Sequence, residues 1–152
     1  MSYNVKASEQ VALLGVIPPA SQGVGSVSTG WVSASEFMKF LGVVSVGAFG
    51  ASATVDANIQ QATSSSGAGA KAIAIPSGNL AITELAAGTN NIQAELNLDA
   101  QILDVNNGFD YINLTITVGV AACLVSGELW GFAPRLAPAS DFNATSVAQV
   151  VN

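Results

Sequence analysis

Apolar and polar residues alternate one for one through much of this chain, and a period of two marks strands with one buried face. In Ala53–Gln61, Ala53, Val55, Ala57 and Ile59 share one face, and Thr54, Asp56, Asn58 and Gln60 share the other. Ile92–Leu98 repeats the pattern with Ile92, Ala94, Leu96 and Leu98 inward, and Tyr111–Val118 does so with Ile112, Leu114, Ile116 and Val118. Val43–Val55 is an apolar run too short to span a bilayer and interrupted by Gly47 and Gly50, so it reads as a buried strand. Between these segments lie turn signals. Ser64–Gly69 is a flexible loop, Pro76–Asn79 and Gly88–Asn91 are tight connections, and Asn106-Asn107-Gly108 signals a hairpin because Asn-Gly tolerates positive φ. Short strands at such spacing predict a mainly β fold, an antiparallel β-sandwich or jelly roll. One short helix is expected at Ala34–Leu41, where Ser33 precedes Glu36 by three residues in a capping-box pattern.

The two ends lack this core periodicity. Pro18-Pro19 and the Gly/Ser/Val stretch Ser21–Gly30 read as an extended arm, and Ala133–Asn152, with Pro134 and Pro138, reads similarly. The expected organisation is an N-terminal arm over 1–30, a β-sandwich domain over 31–132, and a C-terminal arm or final strand over 133–152.

Composition changes the picture from a globule to a building block. Among 152 residues there are four Lys plus Arg, ten Asp plus Glu and no His, so charged residues make up 9%, against about 25% in an ordinary soluble domain. A monomer needs charge to stay dispersed, whereas a subunit packed against other protein does not. A homo-oligomer, a trimer, is therefore expected. The net charge of −6 leaves too few cations to track a phosphate backbone or an anionic membrane surface, so no direct nucleic-acid or membrane partner is expected. The single Cys123 lies in the apolar run Val118–Val125 and permits no internal disulfide. The apolar run Val11–Ile17 ends at Pro18-Pro19 rather than at a leader cleavage site, which reads as a protein made in the cytoplasm.

Catalysis is hard to assemble from these residues. Without His, Ser-His-Asp and Cys-His triads and histidine-based zinc sites cannot form. Asp99, Asp104 and Asp110 are candidate carboxylates, but acids beside turns ordinarily cap local N–H groups. A calcium-loop reading starting at Asp104 fails, since Gly108 falls one place early and Thr115 stands where the closing Glu is needed. Gly67–Lys71 lacks the Ser or Thr of a phosphate loop. No enzyme activity, metal or cofactor is expected. The residues singled out are instead candidates for assembly contacts. Val11, Leu13, Leu14, Val16 and Ile17 form an apolar cluster that either anchors to a partner or packs on its own domain. Trp31 and Trp130 suit a core edge or a contact, and Arg135, the only arginine, suits a carboxylate of a neighbour or of its own chain.

Several stretches carry a resemblance: Trp31-Val32-Ser33 leading into an apolar strand that ends at Gly47, Val55–Thr63 (VDANIQQAT), Gly67–Lys71 (GAGAK), Leu103–Tyr111 (LDVNNGFDY), Leu114–Gly119 (LTITVG) and Ala137–Phe142 (APASDF). In this order they resemble small structural proteins encoded near the capsid genes of tailed bacteriophages and prophages, over residues 31–150. The resemblance implies a non-enzymatic virion protein, favoured as a capsid decoration (cement) protein on the head surface with the major capsid protein as partner. A head-tail connector or tail component, and a carbohydrate-binding virion protein, are the alternatives.

Overall fold

In the computed structural model, which describes residues 4–151, the alternating segments pair into two antiparallel sheets packed face to face. Eight strands are four residues or longer: β1 Val11–Gln22, β2 Gly25–Ser28, β3 Phe37–Phe49, β4 Thr54–Ala62, β5 Ala81–Ala86, β6 Ile92–Asp99, β7 Tyr111–Gly119 and β8 Cys123–Pro134. The first sheet runs β1-β8-β3-β6; in the second, β7 lies between β2 and β4, and β5 pairs with the other edge of β4. The chain therefore crosses between sheets at nearly every connection, which is the winding of a jelly roll.

The core lies between the two inner faces. Ile17, Phe40, Val44, Val46, Leu96, Leu98, Val125 and Leu129 of the first sheet are buried there, facing Val55, Ala57, Ile59, Ile112, Leu114, Ile116 and Val118 of the second. The second-sheet residues are those the alternation placed inward. In Phe37–Phe49 and Cys123–Pro134 the even and odd positions, respectively, supply the core from Phe40 and Cys123 onward.

Four expectations are corrected. The segment assigned to an N-terminal arm is edge strand β1, paired with β8 from Val11↔Phe132 to Gln22↔Cys123. Its register shifts between Leu13 and Gly15 and between Ile17 and Ala20. Pro18-Pro19 thus occupies an irregularity on an edge strand, where missing N–H groups cost no ladder bond, and the strand resumes beyond it. The expected helix at Ala34–Leu41 is a turn followed by β3. Ser33 Oγ accepts from the Ser35 amide at 3.2 Å, closing a local turn, and the alternation from Phe40 onward then selects strand. Val43–Val55 is divided, since β3 ends at Phe49 and β4 begins at Thr54 after a turn in which Ser52 has φ 57°. Asn106-Asn107-Gly108 closes a 3₁₀ turn, with Gly108 at φ 82°, because β6 and β7 lie in different sheets and cannot form a hairpin.

The C-terminal segment is neither a free arm nor a final strand at its start. β8 extends through Pro134, and the 3₁₀ turn Ala139–Phe142 folds back so that Phe142 meets Phe37 edge-on, with ring centroids 5.7 Å apart. Further 3₁₀ turns at Ala7–Glu9, Ala100–Ile102 and Val105–Asn107 complete the helical content.

Candidate functional site

Pairing the strands of the first sheet brings the residues of its outer face into rows. Leu13, Trp130, Leu41 and Asn97 lie side by side across the four strands; Val11, Phe132, Lys39 and Asp99 form the row on one side, and Val16, Glu128, Val43 and Glu95 the row on the other. Their intervening neighbours point into the core, so these side chains face away from it. Val11, Leu13, Val16, Leu41, Val43, Trp130 and Phe132 form one apolar ridge, and each is only half-buried. Large aromatic and branched side chains clustered on a solvent-facing sheet are the composition of the centre of a protein contact.

Polar groups rim the ridge. Trp130 donates its indole N–H to Glu128 Oε2 at 2.8 Å, which satisfies the ring's one polar group beside the sheet. Lys39 Nζ lies 3.9 Å from Asp99 Oδ2. Beyond the Glu128 row the surface steps down to Ser45, Gly47 and Ser126, and a groove of about 380 Å³ opens between Pro19-Ala20, Leu124 and Asn91 with Gln93.

The sequence candidates divide three ways. Val11, Leu13, Val16 and Trp130 come together on the ridge, while Leu14 and Ile17, on the same strand, are buried in the protein's own core. The apolar cluster of β1 is thus split by strand alternation, and its inward half does not meet a partner. Trp31 lies away from the ridge, its indole pressed on Gly67 so closely that a Cβ there would overlap the ring. Arg135 is at one end of the sandwich; its amide donates to the Glu36 carbonyl at 2.8 Å, and its side chain shares a recess with Asp110, Ser35 and Leu103. The ridge residues Leu41, Val43 and Phe132 were not singled out from the sequence. Leu41 and Val43 sit in a stretch apolar on both faces, so only pairing against β8 and β6 tells outer from inner.

The carboxylates do not converge. Asp99 Oδ1 accepts from the Gln101 amide at 3.0 Å, capping a turn. Asp104 is bound by Lys71 and Asn107, and its amide donates to the buried Gln61 Oε1 at 2.9 Å. Hydrogen bonds from Lys71 and then Asn107 hold the Asp104 carboxyl below its ordinary value, against a smaller opposing effect of burial. Lys71 Nζ also sits 3.8 Å above the Phe109 ring. Among the described residues there is no group of three or more His, Cys, Asp or Glu arranged to hold a metal ion.

No protein-family model matches the chain, and no curated protein matches it. Among solved structures, the chain is similar to one of Desmodium yellow mottle tymovirus at 12% identity and a TM-score of 0.39, covering 90% of this chain and 94% of that one. It is likewise similar to a chain of broad bean stain virus at 13% identity and a TM-score of 0.40, with coverage of 90% and 94%. A chain of the cowpea mosaic virus empty virus-like particle has 11% identity and a TM-score of 0.40, with coverage of 86% and 84%.

Proposed function

We propose that this chain is a non-enzymatic virion structural protein, a decoration subunit that sits on an assembled phage head and stabilises it. The observation that carries the reading is the apolar ridge Val11, Leu13, Val16, Leu41, Val43, Trp130 and Phe132 on a rigid four-stranded sheet. Burying one such side chain is worth about 1.5–3 kcal/mol before ordering costs, and a sheet already ordered by its own core loses little freedom on docking. Scarce charge, at 9% of residues, suits a surface designed to be covered.

The partner in this reading is the major capsid protein, and the place is the virion surface after synthesis in the host cytoplasm. A repeating shell multiplies modest single contacts, and binding only the assembled state stabilises the shell by mass action. The test is to add labelled protein to heads that lack it and image them by electron microscopy, with the melting temperature of the heads measured in parallel. Label over the whole head with a raised melting temperature supports decoration. Label confined to one vertex turns the assignment to a head-tail connector, and absence of binding overturns both.

A further inference from the structure

The same outer face that carries the ridge also carries a groove, and the chain carries a segment that fits it. The groove crosses all four strands over a floor of small residues, Ser45, Gly47 and Ser126, between Pro19 and the half-exposed Leu124, and no ionisable side chain lines it. The C-terminal segment Ala144–Val151 is equally free of ionisable groups. It is tied down only at its start, where the Ala144 amide donates to the Leu13 carbonyl and the Val147 amide to the Ala144 carbonyl. Beyond that turn, Val150 is 42% and Val151 82% exposed. Two uncharged apolar features are left facing water in a chain that has few of its residues to spare for solubility.

We propose that the groove receives Val147–Val151 of a second copy, a head-to-tail contact that builds the homo-oligomer. The dimensions agree. Three inter-strand spacings make the groove about 14 Å across, and five extended residues reach about 17 Å. Asn91, Gln93, Ser45 and Ser126 supply donors and acceptors for the backbone of a strand laid across them. The contact is between copies because the segment is short. Leu13, where it is anchored, stands seven residues along β1 from Ala20 at the groove wall, about 20 Å away, and the turn at Ala144–Val147 leaves too few residues to cover that distance and then fill the groove. A head-to-tail contact uses two different patches, so it closes into a ring when the rotation permits. The ridge stays free for another partner, so this inference extends the assembly reading without needing the shell.

The experiment uses purified protein alone. Sedimentation velocity at micromolar concentration compares the full chain, a chain lacking residues 147–152, and a Ser126→Trp variant that fills the groove from the solvent side. A labelled synthetic peptide of residues 146–152 is titrated into the shortened chain by fluorescence anisotropy. The expected result is an oligomeric full chain, monomers for both variants with unchanged melting temperature, and peptide binding that falls at least about tenfold when Ser126→Trp is introduced, the equivalent of ~1.4 kcal/mol. Should the Ser126→Trp variant fail to fold, excess peptide added to the full chain is expected to dissociate the oligomer. A monomeric full chain, or an oligomer that survives both the shortening and the excess peptide, would overturn the proposal. Neither outcome bears on binding to heads, which is read separately.

Discussion

The Asn143 side-chain oxygen accepts a hydrogen bond from the Leu13 amide at 2.9 Å, joining residues 130 positions apart in sequence. Next to it, the Ala144 amide donates to the Leu13 carbonyl. Leu13 belongs to an edge strand whose outer side has no neighbouring strand, and these two bonds satisfy both of its backbone groups, sealing that point of the edge against other chains. Asn143→Ala is expected to cost about 1 kcal/mol. A thermal melt should show a fall of ~2–4 °C for a domain of this size.

Strand β1 was expected to be detachable and is part of the sandwich. Ile17 is buried with its side chain against the core, so Ile17→Ala should cost about 2–5 kcal/mol. Val16, one residue earlier, points outward beside Glu128, and Val16→Ala should cost well under half of that. Removing residues 1–19 deletes most of the β1 pairing and is expected to abolish cooperative unfolding, measured by urea titration followed by tryptophan fluorescence.

Two inward glycines of β8 make a matched pair. A Cβ at Gly131 would fall 2.7 Å from Phe37 Cγ and 2.9 Å from Leu14 Cδ1, whereas at Gly127 it would meet Ile116 and Ile17 methyls at 3.2 Å. Aromatic ring atoms held by Phe40 and Phe142 on either side cannot retreat as a terminal methyl can. Gly131→Ala is therefore expected to cost about 1–3 kcal/mol by overpacking, and Gly127→Ala less, with the order read from paired denaturant titrations.

What the sequence disclosed follows from where alternation is visible. Val55, Ala57 and Ile59, and Ile112, Leu114, Ile116 and Val118, are inward in the fold as in the pattern, because β4 and β7 have polar outer faces. β1, β3 and β8 hid their register because their outer faces are apolar as well. Leu41 and Val43 look like core residues until Trp130 and Glu128 are placed beside them. The same feature that blurs the strand reading is thus the candidate site. Ser33 and Glu36 misled for another reason: a local hydroxyl-to-amide turn and a helix N-terminus share the same short motif, and only the β3 pairing partners decide between them.

Asp104 provides a pH test. Its carboxyl is held low by Lys71 and Asn107, so the ionised form is favoured in the folded protein. A group with a depressed folded value contributes stability that is complete above the unfolded carboxyl value of about 3.9 and is lost as pH falls through the lower folded value. Lys71→Met should therefore be less stable than the parent at neutral pH, and the gap should narrow on acidification below about pH 4. The residual difference reports the Lys71 contact with Phe109, which does not titrate in that range. A gap that stays constant from pH 7 down to pH 2 would show that the ion pair contributes nothing measurable.

Trp130 is where the ridge is best tested, because its two roles separate. In the free protein the ring lies half-exposed on the sheet with its N–H on Glu128, so truncating it removes few core contacts and Trp130→Ala should cost no more than about 1.5 kcal/mol of stability. In a docked state the same ring would be desolvated at the centre of the patch, flanked by Leu13 and Leu41, where truncation of a tryptophan typically costs 2 kcal/mol or more of binding. Affinity for heads lacking the protein is accordingly expected to fall by at least about thirtyfold. Trp31→Ala is the control, since that ring packs on Gly67 away from the ridge; it should lower the melting temperature and leave head binding unchanged once the protein is folded. Glu128→Gln refines the comparison by keeping an oxygen for the indole while removing the charge. If Gln restores binding, Glu128 serves to orient the ring; if binding stays low, the carboxylate itself meets a cation on the partner. Equal affinities for Trp130→Ala and the parent would remove the ridge from the docking surface.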